Sequence, residues 1–186
     1  MISFISNIFY SPIKSLSFLK LKKCYVQNNK GILNDRLFAF SRNISLEDAR
    51  DIEKFPKLRK LNNFITLKNS PKLNKYNFDF YENNFILRKK NNVIISISSN
   101  NYEDYYKIGN KLNNLEKSLS RPVYLLKNKD HPFFDTTNSN DVLNSISLIN
   151  INSIIDLQKK SGHEIEFQRF RGNFYINEIE AWEERK

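Results

Sequence analysis

The chain holds a single cysteine, Cys24, among 186 residues, so no disulfide can form within it. That excludes a disulfide-stapled scaffold and favours a reducing compartment. Glycine and proline are also scarce, at four and five, so each marks a place where the backbone needs it. No apolar run approaches the ~18 residues that a membrane-spanning helix requires. The opening Met-Ile-Ser-Phe-Ile-Ser-Asn-Ile-Phe has no basic region ahead of an apolar run, so it is not read as a signal peptide. These absences predict a cytoplasmic protein with no membrane partner. Acidic residues are in deficit too: 20 Asp and Glu against 30 Lys and Arg give a net charge of +10. Such a balance suits an acidic partner such as nucleic acid, a membrane surface or a phosphorylated ligand. It is also what A/T-rich codon usage yields, because Asn, Lys, Ile, Phe and Tyr are all abundant and the positive charges are scattered.

What the chain has is apolar and aromatic. Hydrophobic residues make up 40%, with 15 Phe and 9 Tyr, too many for a disordered tail. The length allows one domain or two small ones. Residues 2–9 form a short apolar segment that Pro12 ends. Residues 16–26 alternate as a half-buried strand, Gly31 opens a turn, and 36–40 return as another strand. Residues 45–54 read as a helix, with Ser45 as N-cap and Pro56 as its limit. Residues 63–68 read as a strand ended by Asn69-Ser70-Pro71. FDFY, FILRK and VIISIS, separated by Asn83-Asn84 and Asn91-Asn92, read as a meander. Residues 101–119 carry Tyr105, Ile108, Leu112, Leu115 and Leu119 on one helical stripe. A strand at 122–126, a polar loop to about residue 144, and a strand at 145–149 follow. A helix capped by Asn152 or Ser153 then runs to Gly162, and strands at 165–170 and 173–177 complete the pattern. Roughly nine strands and three helices predict a mainly β, α+β protein.

Chemistry-bearing residues are sparse. His131 and His163 share no metal-ligand spacing with each other or with Cys24, so no metal ligand is assigned. Cys24 on an alternating strand reads as a small packing residue. No Gly-rich phosphate loop is present. Four loops can nonetheless hold a phosphate through Lys, Arg, hydroxyl and N–H groups. Lys14-Ser15 follows Pro12, though Lys14 taken alone is an ordinary solvated charge. Asp35-Arg36 follows the Gly31 turn. Asn150 and Ser153 lie where a strand feeds a helix N-terminus. In Arg169-Phe170-Arg171-Gly172-Asn173, two arginines two apart in an extended segment share one face.

The order SPIKS, NDR, FITLKNSPKL, FFD, SLININSIIDL, RFRGN resembles the MOSC family along the whole chain. MOSC names the C-terminal domain of molybdenum cofactor sulfurase. The closest architecture has an N-terminal β-barrel domain before it, as in the mitochondrial amidoxime-reducing component. The resemblance implies a β-barrel-like domain with attached helices over 1–120 and a partial, incomplete second MOSC barrel over 121–186. It implies that Lys14, Ser15 and Arg36, with Asn150, Ser153, Arg171 and Asn173, line a molybdenum cofactor pocket, and that the partner is a phosphorylated pterin. Gly172 stands where the family has proline, which loosens that segment. Glu180-Ala181-Trp182-Glu183-Glu184 resembles the start of a stretch that leads on to a molybdenum-ligating cysteine, and that cysteine has no counterpart here. The chain thus reads as C-terminally truncated, in the oxidoreductase or sulfur-carrier class, and inactive unless completed by the missing part or a partner chain. An association with pyridoxal phosphate follows from the family alone. Two alternatives stay open: a non-catalytic, partner-dependent module, and a basic nucleic-acid binder with Phe78, Phe80 and Tyr81 stacking near Lys89 and Lys90.

Overall fold

A computed structural model describes residues 4–16, 18–98, 102–134 and 146–185. In chain order its strands and helices are β1 (Phe4–Tyr10), β2 (Leu19–Leu21), β3 (Val26–Gln27), β4 (Gly31–Ile32), β5 (Phe38–Phe40), α1 (Leu46–Lys54), β6 (Tyr76–Tyr81), β7 (Asn84–Lys89), β8 (Asn92–Ser98), α2 (Tyr102–Leu115), β9 (Leu125–Lys127), β10 (Leu148–Asn150), α3 (Ile151–Ser161) and β11 (Phe174–Asn177). The class is mixed α+β and mainly β, and no sheet closes into a barrel among the described residues. No described helix is long and apolar enough to cross a membrane.

Contacts divide the chain into two interleaved compact units, whereas the sequence division was drawn at residue 120. The first comprises Met1–Tyr10, Phe18–Leu33 and Ser145–Lys186, and the second Ser11–Ser17 and Asn34–Asn144. The first unit holds a sheet in the order β10-β11-β1-β2, with β10 parallel to β11 and the other pairs antiparallel. The β10–α3–β11 path is a crossover, which parallel strands require. Its core stacks Phe9 on Phe18, with centroids 4.9 Å apart, and sets Tyr175 edge-on to Phe9. The predicted strand at 16–26 is two short pieces, β2 and β3. Lys22-Lys23 break the alternation, and β3 turns back onto β4 with Asn29 (φ 58°) and Gly31 (φ 74°) taking the positive φ.

In the second unit the meander is as expected, β6-β7-β8 antiparallel. Its first turn falls on Glu82-Asn83, both at positive φ, with Asn84 already paired to Tyr81. Lys90 (φ 53°) takes the positive φ of the second turn, not Asn92. Helix α1 starts at the predicted cap: the Ser45 hydroxyl accepts from the Asp48 N–H at 3.0 Å. Helix α2 buries Tyr105, Ile108 and Leu112 in the main core, and Gly109 lets it approach Val123, whose carbonyl oxygen would lie 2.2 Å from an added Cβ. The predicted strand at 122–126 begins later, at Leu125, where β9 pairs antiparallel with β5.

Two further strand expectations are corrected. Residues 63–68 are not a strand. Phe64 makes one antiparallel bridge to Ser41, with Arg42 N–H to the Asn63 carbonyl (2.8 Å) and Ile65 N–H to the Phe40 carbonyl (2.9 Å). Pairing stops there, because the Asn69 side chain folds back to accept from the Thr66 N–H (3.0 Å) and to donate to the Phe64 carbonyl (3.0 Å). Residues 167–170 form a 3-10 turn, ended by Arg171 in the left-handed region at φ 52°.

Candidate functional site

Four of the six sequence motifs meet inside the second unit. Residues 11–14 lie beside 36–38, through Arg36 N–H to the Ser11 carbonyl (2.6 Å), Phe38 N–H to Pro12 (2.9 Å) and Lys14 N–H to Phe38 (2.8 Å). Lys14 is only 4% exposed, so it is no solvated charge. Its ammonium donates to the Phe133 and Phe134 carbonyls at 3.4 and 3.3 Å and lies 5.8 Å from the Phe64 ring centroid. SPIKS, FITLK and the FF of FFD therefore share one cation, and Asp135 of the last motif lies outside the described residues. Arg36 brings in NDR: its guanidinium pairs with Asp35 and sits 5.3 Å over the Phe134 ring. Buried Asp35 also accepts from the Ser11 N–H at 2.7 Å. Ser15 sits at positive φ (61°) beside Lys14.

The segment that carries Phe133 and Phe134 is itself clamped by a residue that the sequence did not mark. Arg59, 6% exposed, donates to the carbonyls of Ile52 (2.8 Å), Glu53 (3.1 Å), His131 (2.8 Å) and Pro132 (3.2 Å). Its guanidinium also stacks 4.1 Å over the Phe133 ring. Burial lowers its pKa from 12.5 to about 10, against the opposing pull of Glu53. Desolvation pushes the Glu53 carboxyl up, countered by the Lys127 N–H and by Arg50, Lys54 and Arg59. Every Arg59 acceptor is a main-chain carbonyl, a partner type that any sequence offers everywhere, so no local signal could have found it.

The other two motifs meet inside the first unit. Asn150, rather than Asn152 or Ser153, caps α3: its side chain accepts from the Asn152 N–H at 3.0 Å, and Gly162 (φ 69°) closes the helix. Asn150 also donates to the Glu180 carbonyl (2.6 Å) and to the Glu184 carboxylate (3.1 Å). The Ser153 hydroxyl reaches the same carboxylate at 2.7 and 2.9 Å and accepts from the Trp182 N–H at 2.8 Å. The helix N-terminus thus faces an anion supplied by the chain itself. Desolvation raises the Glu184 carboxyl, but the bonds from Ser153, the backbone and Asn150, with the charge of Arg185, hold it below the ordinary range.

Arg169 and Arg171 do not share a face of an extended segment, because the 3-10 turn separates them. Arg169 lies within the turn, and Arg171 places its guanidinium 5.1 Å over the Phe18 ring. Asn173 ties strands together: it donates to the Phe9 carbonyl (3.2 Å) and accepts from Ser147 N–H and hydroxyl. Gly172 is fixed rather than loosened. An added Cβ would lie 2.2 Å from Ile149 Cγ1, and its N–H donates to the Tyr175 hydroxyl at 3.1 Å.

Lys14, Ser15 and Arg36 therefore belong to one unit, and Asn150, Ser153, Arg171 and Asn173 to the other. Cys24 lies between β2 and β3, half-buried, with burial pushing its thiol up. His131 and His163 are exposed, and no group of three His, Cys, Asp or Glu suited to a metal occurs among the described residues. The stacking set is divided as well. Phe78 is core, and the register pairs Tyr76 with Lys89 and Tyr81 with Asn84, so Lys89 lies about 17 Å along the hairpin from Tyr81. Compared with protein-family models and with curated proteins, the sequence matches none.

Proposed function

We propose that this chain is a MOSC-type protein that binds the molybdenum cofactor through its basic and hydroxyl loops, in the cytoplasm. The observation that carries the reading is the convergence of SPIKS, NDR, FITLK and FF on Lys14 and Arg36. Segments up to 120 residues apart in the chain bring two cations to one phenylalanine, Phe134. Phosphate binding by a non-Gly-rich site needs such convergence.

The residues of the second unit fit the phosphate end of the group. Arg36 keeps a partly exposed guanidinium on a rigid aromatic face, and Lys14 adds a second positive charge. When bound, the cofactor would supply the redox centre for reduction of N-hydroxylated compounds or for sulfur carriage. This chain's contribution is to neutralise and orient the anion. Pyridoxal phosphate presents the same phosphate and is the lesser candidate.

A second reading, a binding module without catalysis that depends on a partner chain, is favoured by one observation. The anion-attracting end of α3 already holds Glu184.

Purification from cells that make the cofactor and from cells that cannot, with molybdenum and pterin assayed in each, tests the proposal. Near-stoichiometric pterin is expected. Arg36→Ala should lower retention about ten-fold while far-ultraviolet circular dichroism is unchanged, as the loss of a charge-assisted bond predicts. A folded chain that holds neither molybdenum nor pterin overturns the proposal. Full retention in the variant removes Arg36 from it.

A further inference from the structure

A second feature of the same unit uses residues other than Lys14 and Arg36, although Asn34 and Leu37 of its wall flank Arg36 in the chain. A cleft of about 360 Å³ is bounded by the Glu82-Asn83 turn of the β6–β7 hairpin on one side and the end of β9 on the other. Asn34, Leu37, Phe80, Tyr81, Lys127 and Lys129 complete its wall. Leu37 is buried and Phe80 partly so, while Tyr81 is 65% exposed. The cleft therefore has an apolar floor and a free aromatic rim.

Its cations are held differently from ordinary surface lysines. The Lys127 ammonium lies 5.8, 5.9 and 5.8 Å from the ring centroids of Phe38, Phe80 and Tyr105, and donates to the Tyr105 hydroxyl at 3.2 Å. Three rings and a hydroxyl fix the position of a charge that would otherwise sweep through solvent. Phe80 is fixed in turn, edge-on to Phe38 with centroids 5.1 Å apart. Lys129 is exposed two residues further on. The one carboxylate of the wall, Glu82, bonds the Tyr81 hydroxyl and pushes it up. The two ammonium groups thus leave an excess of one positive charge near the exposed Tyr81 ring.

We infer that this cleft binds one small aromatic anion of the nucleoside monophosphate kind, its plane against the exposed Tyr81 ring and its anionic group on Lys127 and Lys129. Size favours a single mononucleotide, since about 360 Å³ is at the low end of ligand pockets, about 300–1,000 Å³. Charge favours a monophosphate, because Glu82 opposes each further negative group. Aromatic side chains gain from stacking on any base, and lysine supplies a charge-assisted bond to phosphate. The inference does not depend on the molybdenum cofactor reading.

Calorimetric titration of the full chain with adenosine 5′-monophosphate, adenosine, inorganic phosphate and a single-stranded oligoadenylate tests it. The monophosphate should saturate one site per chain, with adenosine and phosphate each at least about ten-fold weaker, because each lacks half of the contacts. Lys129→Ala and Tyr81→Ala alter exposed side chains and should each weaken binding about five-fold or more. Lys127→Met keeps the ring packing and should do the same. No binding of the monophosphate would overturn the inference, as would equal binding of phosphate alone, or affinity unaltered in both Lys129→Ala and Tyr81→Ala. Oligoadenylate binding that the monophosphate cannot displace would overturn it too.

Discussion

Replacing Arg59 with methionine keeps most of the side chain's apolar stem and removes only its fork of donors. Four carbonyls, buried at Ile52, Glu53 and Pro132 and partly buried at His131, then lose their charged partner. At about 1.5 kcal/mol for each acceptor left short, the loss is about 6 kcal/mol. Part of that returns, because the buried guanidinium is itself costly. Its pKa falls from 12.5 to about 10, which corresponds to roughly 3 kcal/mol of unfavourable burial of the charged form. The balance is a destabilisation of about 3 kcal/mol. Urea unfolding followed by circular dichroism would read this as a midpoint lowered by about 1–3 M, for slopes of about 1–3 kcal/mol per molar. Arg59→Lys keeps the charge but cannot reach four carbonyls from one compact ammonium, so an intermediate loss is expected. A methionine variant with an unchanged midpoint would refute the reasoning, since it would mean that the 131–134 segment does not rely on the clamp. Because that segment supplies the carbonyls around Lys14, the same variant should also retain less pterin than the native chain.

Three further outcomes follow from single contacts. Gly109→Ala should destabilise despite a helix-propensity gain of up to about 1 kcal/mol, because its Cβ would overlap the Val123 carbonyl; a raised melting temperature would contradict the close approach of α2. Gly172→Pro should lower the melting temperature, because it collides with Ile149 and deletes the N–H that donates to Tyr175. Acid should loosen the residues around Trp182. Two carboxyls held below their ordinary values face it, Glu184 through Ser153 and Asp156 on its indole N–H at 2.6 Å. Each contributes stability at higher pH that is lost as pH falls through its lowered value, so fluorescence of the sole tryptophan should shift in acid, and Glu184→Gln with Asp156→Asn should abolish the shift.

Patterns with a short range were legible in the sequence, and those settled by distant partners were not. The Ser45 cap and the β6–β8 meander depend on neighbours within a few residues, and both are found where the pattern put them. The stripe of α2 held for Tyr105, Ile108 and Leu112, whereas Leu119 is buried beyond the helix end. Residues 63–68 and 167–170 have strand-forming composition, yet Asn69 ends the first after a single bridge to Ser41 and a 3-10 turn absorbs the second. The turns moved by one residue because Tyr81 pairs with Asn84, which leaves Glu82 to take a positive φ that Asn tolerates better. Lys14 read as solvated for a similar reason: nothing within its own turn shows that Phe64, Phe133 and Phe134 will cover it.

Both anion-attracting arrangements are satisfied from within the chain. Asp35 neutralises Arg36, two carbonyls receive Lys14, and Glu184 answers the first turn of α3 through Ser153 and Asn150. Each unit can therefore fold without an external anion, since no buried charge in these clusters waits for a ligand to pair it. The same economy sets what a ligand must overcome. An incoming phosphate at Arg36 competes with a carboxylate one residue away, and at α3 with a carboxylate that both Ser153 and Asn150 already hold. Lys14 is buried and already donates to two carbonyls, so it adds its charge from behind, and Arg36, whose guanidinium stays partly exposed on the Phe134 ring, is the group an incoming phosphate can reach.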